Sequence, residues 1–270
     1  MITLPTYQGI LSQRKPYYNP YEVSSQAFFA ATGISDDSVK NAVNQLVIDL
    51  KTNSLWAKGK LINPIAGGSA ATHKFNLKDP QDTDAAYRLN FLGTITHSSN
   101  GMLPNGSTGY ANTFLNPNTV FPSTGLMSIG IYSRTNTLGN KDDIGATSSS
   151  SYTRISPNKG YNFYGQVNST NCCAETTASS DLSAGWYFAS RSGATASFIQ
   201  KNNTRTLFTP SRTVTNNNLF VMANNNLGTA GSFSDRQLAF VWVGDALTAT
   251  EASSLYTIIQ TYQTSLGRNV

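Results

Sequence analysis

Three glutamates are the first candidates for hydrolytic chemistry, and they are widely separated at Glu22, Glu175 and Glu251. A retaining glycosidase needs two carboxyl groups about 5 Å apart beside the scissile bond. No Glu-x-Asp-x-x-Glu pattern occurs in the chain. Asp142 and Asp143 are adjacent, so they point to opposite sides of a strand or lie in an exposed loop. The acids therefore predict no glycosidase site.

Nucleophilic catalysis needs a base beside a serine or cysteine, and the two histidines of the chain are His73 and His97. Each lies near a predicted strand end, where we expect a hydrogen-bonded structural role. The two cysteines, Cys172 and Cys173, are neighbours, and a disulfide between neighbours would strain the backbone. We therefore expect two free thiols, no catalytic residue and no enzyme.

A metal ion needs several side chains that converge on one point. Cys172-Cys173 lacks the intervening residues of a zinc knuckle, and both histidines are distant from it in sequence. Asp79, Asp82 and Asp84 form one local acidic cluster that could supply oxygen ligands to calcium. Their position just after the predicted strand HKFNL favours turn capping instead. The sequence predicts no metal site and no cofactor site.

The surface is expected to be polar but weakly charged. Charged residues make up 12% of the 270 residues, against about 25% in ordinary soluble proteins. Uncharged amides and hydroxyls lose their hydration at lower cost than ions do. Such a surface suits assembly, secretion or contact with sugars, and a β-rich protein with long loops is the plain alternative. Aromatic side chains that could carry a sugar are Tyr110, Tyr161, Tyr164, Trp186 and Tyr187.

Two other classes of partner are not expected. The net charge is +5, but the cations are scattered, and the densest group, Lys51, Lys58 and Lys60, spreads over ten residues. Binding to nucleic acid needs clustered cations, so no nucleic acid is expected. The N-terminus lacks both a cationic start and a continuous apolar segment. It predicts neither a secretory signal nor insertion into a membrane.

A strand and a helix predicted within residues 238–267 belong to the framework that must position any sugar-binding site. Leu238 to Val243 is apolar on both faces, with Leu238, Phe240 and Trp242 predicted on one and Ala239, Val241 and Val243 on the other. This strand should therefore lie between two layers. Thr248 and Glu251 form a capping box for an amphipathic helix, and Gly267 is placed to end it.

The N-terminal part is predicted to be an arm followed by helices. Residues 1–23 combine prolines with tyrosines, which disfavours regular structure. Ser24 or Ser25 should cap a helix that ends at Gly33, and the Ser-Asp-Asp run at residues 35–37 should open a second one. The second helix has an apolar stripe and should pack on another layer. The stripe consists of Val39, Val43, Leu46, Val47 and Leu50.

From His73 onward, short strand-like runs are separated by turn residues. The runs are HKFNL, YRLNFLG, MSIGIYS, YTRIS, YNFYGQV, GWYFASR, ASFIQ, RTLF, LFVMA and LAFVWV. No helix is interleaved before the last one, so the pattern predicts a mainly β, antiparallel jelly-roll sandwich. One large domain with additions is favoured over two modest domains.

With these residues laid out, the chain resembles bacteriophage virion structural proteins that carry a concanavalin A-like, or laminin G-like, jelly roll. Three blocks carry the resemblance, and a helical segment like Val39 to Lys60 often precedes them in such proteins. The blocks are Ala71 to Gly101 continued by Pro104 to Pro117, then Trp186 to Asn202, and finally Arg236 to Arg268. The resemblance covers roughly three quarters of the chain and leaves the first 23 residues uncovered.

The resemblance implies a structural component of a phage virion, such as a head fibre, capsid-associated or tail protein, located in the virion. Residues 1–62 would be an extended arm and helical anchoring segment, and residues 63–270 a jelly-roll domain closed by a C-terminal helix. Its partners would be other virion proteins, copies of itself and a host-surface glycan. A lectin-like carbohydrate or receptor-binding module is the alternative, and a glycoside hydrolase of the same fold comes third. The resemblance transfers no functional residue, because the matching positions are structural.

Overall fold

The computed structural model describes residues 20–122, 125–170, 173–176 and 183–270. The longer helices in this part are α1, α2 and α5, and α3 and α4 are single turns. Their bounds are Val23–Thr32 for α1, Asp37–Thr52 for α2, Ala70–His73 for α3, Pro117–Val120 for α4 and Ala249–Ser265 for α5. A short 3-10 turn also occurs at Asp84–Ala86.

The strands of the first half are β1 Gly59–Asn63, β2 Asn90–Leu92, β3 Ile95–Ser98, β4 Gly101–Pro104, β5 Tyr110–Asn112, β6 Met127–Ser133, β7 Ile144–Ser148 and β8 Ser151–Ser156. Those of the second half are β9 Asn162–Ser169, β10 Ala174–Thr176, β11 Gly185–Arg191, β12 Ser197–Lys201, β13 Thr204–Phe208, β14 Phe220–Val221, β15 Asn224–Asn226, β16 Thr229–Gly231 and β17 Leu238–Asp245.

These strands form two sheets, which we call sheet I and sheet II. Among the described residues, sheet I has eight strands in the order β13-β12-β11-β6-β17-β4-β3, with β1 also paired to β17. Sheet II has nine, in the order β10-β9-β8-β7-β14-β5-β2, with β15 paired to β7 and to β16. The described pairs are antiparallel apart from β15 and β7, which run parallel.

The helices begin and end where local chemistry dictates. The Asp36 carboxylate caps α2 by accepting from the Val39 N–H at 3.0 Å. Thr248 and Glu251 form the predicted capping box of α5, and Gly267 follows its last turn in the left-handed conformation (φ 64°). Gly33 ends α1 in the same conformation (φ 68°). The α1 cap is Glu22, not Ser24 or Ser25 as predicted, because its carboxylate reaches the Ser24 N–H at 2.7 Å.

Two hydrophobic cores divide the protein into three layers. The first lies between α1, α2 and α5 and the outer face of sheet I, where Leu46 and Leu255 meet Trp186 and Trp242. The second lies between the two sheets and includes Ile129. We call α1, α2 and α5 the helical layer. It covers the outer face of sheet I.

A bulge in β17 corrects one prediction about side-chain direction. The register of β17 against β6 shifts between Leu238 and Phe240. As a result Leu238 lies in the core between the sheets with Val241 and Val243, whereas Ala239 faces the helical layer with Phe240 and Trp242. Strict alternation had placed Leu238 and Ala239 the other way round. One extra residue in a strand reverses the alternation on one side of it.

The predicted fold class is confirmed: a mainly β, antiparallel jelly-roll sandwich with helical segments at both ends of the described chain. The HKFNL run is not a strand, because Ser69 and Thr72 cap a helical turn that ends at His73. The arm predicted for residues 1–23 lies outside the described residues up to residue 19. The division at residues 62 and 63 stays a prediction. Contacts run between the two parts, because β1 pairs with β17 and α2 packs on α5.

Candidate functional site

A cleft of about 390 Å³ opens on the outer face of sheet II, on the side away from the helical layer. We call it the outer cleft. Its described lining residues are polar: Asp142, Thr147, Tyr152, Arg154, Asn224, Asn226, Gly231 and Ser232. They come from β7, β8, β15, β16 and the residues beside them. The site is therefore assembled by strand pairing.

Register explains why these side chains point outward together. Ile144, Ala146 and Ile155 face the core between the sheets, so the alternating positions Gly145 and Arg154 face outward. Gly145 pairs with Arg154 of β8 and with Asn224 of β15. A Cβ atom on Gly145 would lie 2.7 Å from Asn224 Nδ2. Glycine at this position leaves room for the Asn224 side chain.

Asn224 is held in one orientation by two side chains. Its Nδ2 donates to Asp142 Oδ2 at 2.8 Å, and its Oδ1 accepts from the Thr147 hydroxyl at 3.1 Å. Asp142 is buried, and its second oxygen accepts from the Ser156 hydroxyl. The Asp142 N–H donates to the carbonyl of Ser232 at 2.9 Å. The amide is thus positioned before any ligand arrives, which lowers the entropic cost of binding.

Arg154 crosses the outer face between two aromatic rings. Its guanidinium carbon lies 4.8 Å from the Tyr152 ring centroid and 5.4 Å from that of Tyr164. Its Nε donates to Gln166 Oε1 at 2.6 Å. Within the described residues, its Nη1 and Nη2 atoms make no hydrogen bond or ion pair. Arg154 is therefore an oriented cation with donors available to a ligand.

The candidate aromatic residues differ in exposure and in their position relative to the outer cleft. Trp186 and Tyr187 are fully buried, so they cannot contact a sugar. Tyr110 packs on Phe220, with centroids 4.8 Å apart, and is half-buried. Tyr161 is 45% exposed but does not line the outer cleft. Tyr164 supports Arg154 from beside the cleft.

The candidate acidic residues form ion pairs or hydrogen bonds within the protein, apart from Glu175, for which only its place in a strand is described. Glu22 pairs with Lys51 and Glu251 with Lys58, both at 2.5 Å, and Glu175 lies in β10. Lys60 pairs with Asp245 at 3.2 Å, so the whole predicted basic group of Lys51, Lys58 and Lys60 has acidic partners. In the acidic cluster, Asp82 pairs with Lys74 and Arg88, Asp84 with Arg88, and Asp79 accepts from Gln81.

Asp142 and Asp143 lie just before β7 and are both buried, so the exposed-loop alternative is wrong and the two residues are not part of a strand. Asp143 is fully buried and pairs with Arg236 at 3.1 Å, while its Oδ1 also accepts from Ser234 at 2.6 Å. Burial raises the pKa of the Asp143 carboxyl, and the Arg236 guanidinium opposes that shift. Asp142 is the one carboxylate among the described lining residues of the outer cleft. Asp143 is therefore ion-paired in the interior, whereas Asp142 borders the outer cleft.

His73 and His97 form a contact that the sequence did not reveal. Their Nδ1 atoms are 3.0 Å apart, and His73 Nε2 accepts from the Gly68 N–H at 3.1 Å. His73 must therefore carry its proton on Nδ1 and donate it to His97. Burial, with the nearby charges of His97 and Arg268, lowers the pKa of His73 to about 3. Burial also lowers the pKa of His97.

The expectation of two free thiols is wrong for Cys173, which is disulfide-bonded. The chain has one other cysteine, Cys172, and it lies outside the described residues. Among the described residues, no cluster of three or more potential ligand side chains could hold a metal ion. None of the described helices is both long and apolar enough to cross a membrane.

A second cavity, of about 470 Å³, lies between the start of α2 and the end of α5. Arg268 lines it, but its guanidinium donates to the Ile65 carbonyl at 2.8 Å and to Gln263 Oε1 at 3.0 Å. Asp36, which also lines it, caps α2. Both Nη atoms of Arg268 already donate to protein carbonyls, unlike those of Arg154, so the outer cleft is the better candidate site.

Neither a protein-family model nor a curated protein sequence matches this chain. Solved β-sandwich structures do resemble it. One is the botulinum neurotoxin serotype D binding domain, with 10% identity over 76% of this chain and 52% of that one, at a TM-score of 0.49. Another is a Trypanosoma rangeli sialidase in complex with 2,3-difluoro-KDN, with 10% identity, 80% and 39% coverage, and a TM-score of 0.47.

A third is domain 4 of AbnA, a GH43 extracellular arabinanase from Geobacillus stearothermophilus, in complex with arabinotriose. It shows 14% identity over 61% of this chain and 82% of that one, at a TM-score of 0.42. The chain spans about half of the neurotoxin domain and less of the sialidase. No residue role is transferred from these proteins.

The sequence held weak signals of the outer cleft. The alternation in YTRIS places Tyr152 and Arg154 on one face, and this could have been read as an outward polar pair. The Asn-Asn-Asn run at residues 224–226 is also unusual for a strand. Nothing local indicates that these two segments meet, because β7 lies between them in the sheet.

Proposed function

We propose that this protein is a non-enzymatic carbohydrate-binding β-sandwich and that the outer cleft receives the sugar. The observation that supports this is the preorganised polar lining, in which Asn224 is fixed by Asp142 and Thr147 and Arg154 lies across Tyr152. Ligand sites commonly enclose about 300 to 1,000 Å³ and use a few fixed polar groups. The cleft volume of about 390 Å³ falls in that range.

A binding role fits the outer cleft better than a hydrolytic one. Hydrolysis of a glycosidic bond requires an acid and a second carboxylate. Asp142 is the single acid among the described lining residues, and both of its oxygens already accept hydrogen bonds. The amide, guanidinium and hydroxyl groups that remain can hydrogen-bond sugar hydroxyls without chemistry.

The test is a glycan array followed by calorimetric titration of the glycan that binds best. We expect Asn226→Ala and Tyr152→Ala each to weaken binding about 2- to 10-fold, the value of one net hydrogen bond or stacking contact. Asn41→Ala is the matched control, because Asn41 is exposed on α2 in the helical layer. Absence of any glycan above background, or binding that both cleft variants leave unchanged, would refute the proposal.

A structural role in a phage virion is the second candidate, and it is compatible with the first. It is supported by the sequence resemblance and by the position of the described N-terminal residues. Tyr21 packs on Phe29 of α1, with ring centroids 5.2 Å apart, and the Glu22 N–H donates to Asn44 of α2 at 2.8 Å. An anchor at the N-terminus would therefore leave from the helical layer, opposite the outer cleft.

The structure also defines the deletion that tests this role. Removal of residues 1–60 would take away Phe28, Val43 and Leu46 and expose the core against sheet I. Removal of residues 1–19 leaves every described contact in place. We propose that the shorter deletion abolishes incorporation into virus particles while thermal stability is retained. Normal incorporation of this variant would refute the anchoring role.

A further inference from the structure

Arg154 differs from other arginines of the protein in how its donors are used. Arg205 also lies over an aromatic ring, 5.0 Å from the centroid of Phe198, and bonds a glutamine, Gln200. Its Nη2 atom, however, also donates to the Ala249 carbonyl at 2.8 Å. The Nη atoms of Arg154 have no such partner among the described residues, and Arg154 lines the outer cleft.

The environment of Arg154 fixes its guanidinium without neutralising it. Tyr152 and Tyr164 restrict it by their rings, and the bond from Nε to Gln166 sets the plane of the group. No acid lies within ion-pair distance of it in the described part of the chain. An arginine held in this way presents its two terminal nitrogens as a fork that matches a carboxylate.

We infer that the ligand of the outer cleft is a glycan with a carboxylate group, which the Arg154 guanidinium binds through two parallel hydrogen bonds. The inference rests on the proposed function and adds the class of sugar. The remaining lining groups, such as Asn224 and Asn226, would bind hydroxyls of the same sugar residue or of its neighbour.

The charges in the outer cleft favour a singly charged group over phosphate. Asp142 is a buried carboxyl group at the edge of the cleft, and Arg154 is the one basic side chain among the described lining residues. A carboxylate adds one further negative charge and is small enough for two-point contact with the guanidinium. A phosphate dianion would add nearly twice the repulsion from Asp142 in a partly desolvated site.

The experiment compares acidic sugars with neutral counterparts of the same shape. One pair is an oligosaccharide of galacturonic acid and the galactose oligosaccharide obtained from it by reduction of the carboxyl groups. The second pair is sialyllactose and its C1 methyl ester, in which the carboxylate is neutralised, so that hexuronic and nonulosonic acids are separate arms. Inorganic phosphate serves as a competitor. Binding is measured by calorimetry on the full chain, at two salt concentrations.

Variants separate a specific contact from the general positive charge of the protein. Arg154→Gln and Arg205→Gln lower the net charge equally, and Arg154→Lys keeps the charge but loses the fork. We expect an acidic probe to bind about 10- to 100-fold more tightly than its neutral counterpart. Arg154→Gln should remove this preference, Arg154→Lys should reduce it, and Arg205→Gln should preserve it.

The outcomes test carbohydrate binding and the preference for a carboxylate separately. Equal binding of acidic and neutral probes would overturn the carboxylate inference and leave carbohydrate binding in place. A preference that Arg154→Gln retains, or that Arg205→Gln loses to the same degree, would overturn the role of Arg154. Competition by phosphate at the concentration of the acidic probe would overturn the choice of a singly charged ligand. Failure of every glycan on the array to bind would overturn carbohydrate binding itself.

Discussion

Acidification should destabilise this protein through the buried histidine pair, and the effect can be isolated. His73 is fully buried, and its two ring nitrogens are engaged by His97 and by the Gly68 N–H. Protonation would place a hydrogen on Nε2, facing the Gly68 N–H, and would add a charge near Arg268. Protonation of His73 therefore costs free energy in the folded state, and the pKa of His73 is lowered to about 3.

The sign and size follow from linkage between protonation and folding. The pKa of His73 is about 3 in the folded protein and 6.5 in the unfolded chain. The unfolded state therefore binds more protons between these values, and stability falls as the pH drops from 6.5 toward 3. Between pH 7.5 and pH 5.0, His73 alone should cost about 2 kcal/mol of unfolding free energy. The lowered pKa of His97 acts in the same direction.

The assay is urea unfolding at pH 7.5 and pH 5.0 for the wild type and for His73→Gln. The variant loses packing at both pH values, so the informative quantity is the change in unfolding free energy between them. It should be smaller in His73→Gln by about 2 kcal/mol, because carboxylates contribute equally to both proteins. An equal loss of stability in both proteins would refute the assignment of a buried, unprotonated His73. His97→Gln is a second variant, expected to reduce the pH dependence without abolishing it.

Three further predictions concern the fold, each read from urea unfolding at pH 7.5. Leu46→Ala removes a side chain that is 1% exposed and should cost about 2 to 5 kcal/mol, whereas Ile48→Ala, at a position 38% exposed, should cost less than about 1 kcal/mol; equal costs would contradict the helical layer. Arg236→Met leaves the Asp143 carboxylate buried without its cation and should cost about 3 to 5 kcal/mol. A cost below about 1 kcal/mol would show that the pair is not buried. Thr248→Ala removes the cap of α5 and should cost about 1 kcal/mol, and no change would show that the capping bond is not made.

Elements whose signals are local could be predicted from the sequence. MSIGIYS and GWYFASR became β6 and β11 with the same bounds, because isoleucine and aromatic residues favour strands. The capping box of Thr248 and Glu251 fixed the start of α5. In each case the residues that determine the element lie inside it or next to it.

Elements that depend on distant partners could not be predicted. β1 is a strand because β17 offers it a free edge, with Ile62 opposite Trp242. The bulge beside Leu238 likewise depends on β6, since it appears only in the register between the two strands. The hairpin of β3 and β4 lies outside all of the strand-like runs identified in the sequence.

The outer cleft is harder still to predict, because its parts are scattered along the chain. Asp142 and Asn224 are 82 residues apart, and they meet because β15 runs parallel to β7. Arg154 joins them through antiparallel pairing of β8 with β7. Composition alone suggested contact with sugars, but only the sheet register shows which polar residues share a surface.

The three layers also connect the two candidate roles. The apolar stripe of α2 is buried against α5 and sheet I, so it is not available to bind another subunit. An anchoring contact within the helical layer would then use its outer surface. Such an attachment leaves sheet II facing away from the attachment point. A protein fixed at its N-terminus would therefore expose the outer cleft, and loss of anchoring and loss of sugar binding should be separable by deletion of residues 1–19 and by substitution of Arg154.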